Sequence, residues 1–233
     1  MTKRAYALDA LRGYAIITMV LSATVAWNSL PGWMYHAQTP PPDRAFDASL
    51  SGITWVDLVF PFFLFAMGAA FPFSIKKRFE KGDTKLRLVY EAIKRGAQLT
   101  FFAIFIQHFY PYMLSSPQDM RAWLLAILCF VVLFPMFMRI PLKMPDWAHT
   151  SIKVGAYMVA AIMLATTSYA DGKTFSLFSS NIIILLLANM AIFGSILYIF
   201  TMNNRWIRLG ILILLMAMIL GSTVDGSLDT ECI

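Results

Sequence analysis

Asp57 and Pro61 stand four residues apart inside a long apolar run. An ionisable group in such a run is costly, which makes it a candidate for function. Proline lacks a backbone N–H, so the carbonyl of Asp57 loses its ordinary helical donor. A carboxylate and a freed carbonyl then share one turn and make a polar notch. The plainer reading is a carboxylate near the positive end of a helix dipole, with a proline kink below it. His36, within Gly32-Trp33-Met34-Tyr35-His36-Ala37, brings a second kind of chemistry. Its imidazole titrates near neutrality and can act as a general base or a nucleophile. Its aromatic neighbours suit a membrane interface, where a histidine without a task is the commoner case. Asn28, Gln107 and His108 near the ends of their apolar runs, and Asn181 at the start of its own, share one level with Asp57 and His36 and are the substrate-binding candidates of one cavity. Polar helix ends are the bland alternative. There is no Gly-rich phosphate loop, paired metal-ligand spacing or Gly-x-Ser-x-Gly elbow, so no metal is expected.

Membrane helices have to hold these residues. The chain has 233 residues, 59% of them apolar and only 14% charged. Soluble domains carry fewer of the first and more of the second. The balance argues against a soluble enzyme, a disordered chain and a nucleic-acid reader, although the net charge is +6. About 20 apolar residues cross a bilayer. Seven windows meet or approach that length: 11–30, 53–73, 92–110, 122–138, 154–170, 181–200 and 207–221. The expected fold is all-α, a polytopic bundle of about seven transmembrane helices forming a single domain over 1–233. Sixteen basic residues fall on alternate connections, starting with the N-terminus. Only Arg44, Arg121 and Lys173 fall on the others. The positive-inside rule then puts the N-terminus in the cytoplasm. A cleaved signal peptide competes for the first window, but Asp9 and Arg12 interrupt it. Those two residues, three apart, can pair on one helix face. Segment 76–95 holds eight basic and three acidic residues, which attract anionic lipid or a phosphate-bearing ligand. Cys129 and Cys232 are too few for a disulfide framework, and Cys129 reads as a small core residue.

Two stretches carry a family likeness. Leu8-Asp9-Ala10-Leu11-Arg12-Gly13 opens the first window. Gly52-Ile53-Thr54-Trp55-Val56-Asp57-Leu58-Val59-Phe60-Pro61-Phe62-Phe63-Leu64-Phe65, followed by Met67-Gly68, opens the second. With Tyr35-His36-Ala37 between them, residues 8–75 resemble the heparan-α-glucosaminide N-acetyltransferase family and its bacterial relatives. The resemblance implies a multi-pass acetyltransferase of the bacterial cytoplasmic (inner) membrane. Cytoplasmic acetyl-CoA would be the co-substrate, and an amino sugar or related glycan on the outer face the acceptor. His36 matches the family's catalytic histidine ahead of Asp-Leu-Val-Phe-Pro. Asp57 is then expected to orient His36 and favour its charged form. Arg12, Arg78 and Arg95 are expected to contact the phosphates of acetyl-CoA. Members of that family are longer, so this chain is expected to be a shortened member without the last spans. Homo-oligomerisation is left open. Two other functions stay in view. One is a small-solute transporter or channel subunit, hinted at by Asn189 and the Pro61 kink. The other is a non-catalytic membrane scaffold.

Overall fold

The computed structural model describes residues 6–24, 29–40, 45–47, 49–138, 145–172 and 174–228. It is all-helical, with 77% of residues in helix and no strand among the described residues. The helices are α1 (Tyr6–Thr24), α2 (Trp55–Glu80), α3 (Lys85–His108), α4 (Pro111–Leu114), α5 (Met120–Phe137) and α6 (Asp146–Thr166). They continue with α7 (Ile182–Asn189), a π-helical turn (Met190–Gly194), α8 (Ser195–Thr201) and α9 (Arg205–Leu228). Among the described residues, four stretches are long and apolar enough to cross a membrane: α2, α5, α6 and the run Ile182–Thr201. Length and composition thus point to a membrane protein.

A helix underlies each of the seven predicted windows, but the ends differ. α2 continues seven residues past its window, through both Pro61 and Pro72. α3 starts seven residues ahead of its own. Lys76, Lys77, Arg78, Lys94 and Arg95 therefore ride on helices rather than in a loop. An apolar window marks where the side chains are greasy, whereas a helix stops only where its backbone is capped. The cap here is Gly82, at φ +92°. Its N–H donates to the Phe79 carbonyl at 3.0 Å, and the Asp83 N–H donates to the Arg78 carbonyl at 3.2 Å. This double bond pattern satisfies the last carbonyls of α2 and needs a left-handed residue, which glycine supplies without strain.

The chain packs as two compact units, one of Met1–Ile93 with Met190–Ile233, the other of Lys94–Asn189. In the first, α1 lies along α2, and α2 also meets the π turn and α8. Ile75, Leu88 and Ile199 are buried there among Phe71, Val89 and Tyr198. In the second, α5 packs on α6. Its core includes Phe105, Cys129, Met136, Ala160 and Met163. Cys129 is a buried free thiol, in keeping with its reading as a core residue.

The close approach of the π turn to α2 depends on Gly194. A Cβ there would lie 2.9 Å from a ring carbon of Phe71 and 3.0 Å from the sulfur of Met190. Gly210 in α9 has nothing within 4 Å of the equivalent position. Gly194→Ala is expected to destabilise by about 1–2 kcal/mol, the overpacking strain outweighing the gain in helix propensity. Gly210→Ala, gaining propensity alone, should be neutral or stabilising by up to ~1 kcal/mol. Thermal unfolding of the two variants in one detergent checks the sign of each.

Candidate functional site

The site begins with the way α2 starts. Thr54 and Asp57 have the Thr-x-x-acid spacing of a capping box, in which the acid three residues in reaches back to the cap. Oδ2 of Asp57 accepts the Thr54 backbone N–H at 2.8 Å and lies 2.9 Å from the Thr54 hydroxyl oxygen. The same hydroxyl lies 2.5 Å from the Tyr35 carbonyl. Thr54 thereby ties the start of α2 to the segment that carries His36. The Ala37 N–H points at Oδ2 as well, at 3.4 Å.

Three further features hold that segment in place. Tyr35 is buried, and its hydroxyl accepts the Leu30 N–H at 3.2 Å. Gly52, at φ +151°, would bring any Cβ to 3.3 Å from the Ala37 methyl, so the chain passes here only as glycine. Gln38 donates from Nε2 to the carbonyls of Leu50 and Gly52, and its own carbonyl accepts the Asp47 N–H at 2.8 Å. These bonds close the excursion after Thr39 at its base. The Pro-rich run of that excursion lies mostly outside the described residues.

With both segments fixed, His36 Nδ1 meets the other oxygen of Asp57, Oδ1. An ionised carboxylate only accepts, so Nδ1 carries the proton and donates it. In the neutral ring Nε2 then keeps its lone pair. No hydrogen bond reaches Nε2 among the described residues, and the His36 side chain is 61% exposed against 20% for Asp57. Asp57 therefore divides its work. One oxygen caps α2, and the other fixes the tautomer and direction of an exposed imidazole. Such a dyad can abstract a proton or attack a carbonyl carbon from Nε2. Aromatic rings stand on the α1–α2 side of the site. The Trp55 indole N–H donates to the Tyr14 hydroxyl at 2.7 Å, and Trp33 packs edge-on against Trp55 at 6.1 Å.

A family model described as a domain of unknown function, DUF5009, matches residues 4–232, nearly the whole chain. The chain belongs to the DUF5009 family. No curated protein and no solved structure matches it.

The other predicted site residues of this DUF5009 protein are placed less simply. Asn28 lies outside the described residues. His108 and Asn181 belong to the second unit, and each already has structural work there. The His108 ring is 2% exposed, with Nδ1–H donating to the Ile104 carbonyl at 2.8 Å and Nε2 accepting the Ser176 N–H at 3.2 Å. Both nitrogens are used, and Tyr169 and Phe175 enclose the ring. Asn181 opens α7, its Oδ1 accepting the Ile184 N–H and its amide donating to the Tyr110 hydroxyl. Gln107 is half-buried in the same unit.

Among the basic candidates, Arg78 braces the α2–α3 turn. Its Nε donates to Asp83 at 2.9 Å, and Arg87 meets the other oxygen of the same carboxylate at 3.2 Å. Lys77, Lys81 and Lys85 are exposed around that brace. Arg95 is exposed on α3, within the second unit. Arg12 does pair with Asp9, at 3.6 Å, and also donates to the Ala66 carbonyl at 3.2 Å. Thr54, Tyr35 and Gly52 were missed as positioning residues. The Thr54–Asp57 spacing was a legible signal for the first of them.

Proposed function

We propose that this protein is a membrane acyltransferase that carries acetyl groups from cytoplasmic acetyl-CoA to an amino sugar or related glycan on the outer face. The observation that carries the reading is the Asp57–His36 contact, which leaves Nε2 exposed as a base or nucleophile. In the direct route the acceptor nitrogen attacks the thioester carbonyl carbon and the C–S bond breaks. His36 Nε2 takes the proton from nitrogen, and the thiolate leaves and is protonated to CoA thiol. In the covalent route Nε2 first takes the acetyl group from sulfur and then yields it to the acceptor. Asp57 stabilises the positive charge on the ring in either case. The basic stretch at the α2–α3 turn suits the donor phosphates. Arg78 is committed to Asp83, so Lys77, Lys81 and Lys85 are the freer contacts.

Seven membrane crossings with a cytoplasmic N-terminus, in a bacterial inner membrane, fit the distribution of basic residues. The expected result in intact cells is that a membrane-impermeant amine reagent spares Lys81 and Lys85. It should label Lys173, which lies outside the described residues. Labelling of Lys81 from outside would reverse the orientation and remove the donor side. The function itself is tested in sealed proteoliposomes loaded with labelled acetyl-CoA, with glucosamine outside. Label appearing on the outer sugar supports the transferase. Glucosamine uptake that does not depend on acetyl-CoA would favour a transporter, and neither signal would leave a scaffold.

A further inference from the structure

Arg12 sits much deeper than its place near the N-terminus of α1 suggests. Its Nη2 donates to the carbonyl of Ala66 at 3.2 Å. Ala66 is eleven residues along α2 from Trp55 and ten from Lys76. At about 1.5 Å per residue it lies roughly 15 Å from either end of that apolar stretch, near the middle of the hydrocarbon. Asp9 pairs with Nη1 at 3.6 Å. An ion pair at this depth is expensive and marks a functional position by default.

The geometry limits what that position can bind. A guanidinium has five N–H donors in a fixed fork. Two directions are taken, by Asp9 and by the Ala66 carbonyl. The Arg12 side chain remains 34% exposed, so the rest of the fork can be reached. Its charge is already balanced by Asp9. A second anion brought to mid-membrane would be uncompensated and costly, so a phosphate is a poor ligand here. A neutral, strong acceptor is a good one, because it satisfies the remaining donors without adding charge. From the same seam, one helical turn or less along α1, Tyr14 reaches the Trp55 indole at the start of α2.

We infer that Arg12 binds the neutral amide and thioester carbonyls of the acyl donor's arm within the membrane, and not the donor's phosphates. This rests on the transferase reading and deepens it. The phosphates stay with the basic turn at the cytoplasmic side, and the α1–α2 seam carries the arm toward His36. Arg12 is thus a binding residue for the middle of the donor, with Asp9 holding its fork in place.

The test separates the two parts of the donor. Wild type in nanodiscs is titrated with acetyl-CoA and with 3′,5′-ADP, which keeps the phosphates and lacks the arm. The variant is the double substitution Asp9→Asn with Arg12→Gln, which removes both charges together and strands neither. Acetyl-CoA is expected to bind about ten- to a hundredfold more weakly to the double variant, the worth of a hydrogen bond from a charged donor. Binding of 3′,5′-ADP should be unchanged, which also reports an intact fold. Equal losses for both ligands would assign Arg12 to the phosphates and overturn the inference. Unchanged acetyl-CoA binding would overturn it while leaving the transferase reading standing. A wild type that binds neither ligand would remove both.

Discussion

His36→Ala is expected to abolish acetyl transfer while leaving the protein folded. The side chain projects from a segment held by Tyr35, Thr54 and Gln38, and it is 61% exposed. Loss of such an exposed side chain shifts stability by roughly 0.5 kcal/mol or less. A general acid–base group contributes about 10²- to 10⁴-fold to rate, and more where it carries the transferred group. The outward transfer assay, run with a thermal melt and an acetyl-CoA titration on the same preparation, reads all three quantities. Transfer should fall to the background rate with melting and binding retained. A fully active His36→Ala protein would take the imidazole out of the mechanism.

Asp57→Asn should be nearly as damaging, for a reason lodged in one oxygen atom. The asparagine carbonyl can take over Oδ2's part and accept the Thr54 N–H, so the cap of α2 survives. The cost to stability should stay within about 1 kcal/mol. The amide NH₂ would then occupy the place of Oδ1 and donate toward His36. Nδ1 would have to accept, the ring proton would move to Nε2, and the outward atom would cease to be a base. Transfer is expected to drop about 10²-fold or more. Nitrogen-15 spectra of the histidines should show one ring changing tautomer. Wild-type activity with an unchanged tautomer would leave Asp57 as a helix cap and nothing else. Asp57→Ala differs usefully, because it removes the cap as well and should cost stability in addition to rate.

The helices were legible from apolar content because a bilayer admits few spanning structures. A buried backbone must satisfy its own hydrogen bonds, so each long apolar window becomes a helix. Their ends were not legible. α2 outlasts its window to Glu80 because only Gly82 caps it, and hydropathy does not see caps. His36 and Asp57 were both picked out from residue type and likeness, 21 positions apart. Their contact is a property of the turn between them. It requires Gly52 at positive φ, Thr54 bonded to Tyr35, and Gln38 closing the base of the excursion. The expectation of one polar cavity grouped His108 and Asn181 with His36 and Asp57 by their level along the spans. Level along a helix says nothing about which way a side chain turns. Within the second unit His108 bonds backbone groups through both ring nitrogens, and Asn181 bonds the Ile184 N–H and the Tyr110 hydroxyl.

Sequence alone determined that this is a helical, membrane-type protein with two chemically able side chains near one end. Composition sets that, since apolar surface on this scale has to leave water. Tertiary structure decided which side chains are free to act. It gave one oxygen of Asp57 to a cap and the other to His36, committed Arg78 to Asp83, and carried Arg12 to the middle of α2. Apart from the cap, whose Thr54–Asp57 spacing is legible, each of those assignments follows from a hydrogen bond between segments distant in sequence or across a turn. Such a bond depends on direction and distance in space, which residue type and spacing do not encode.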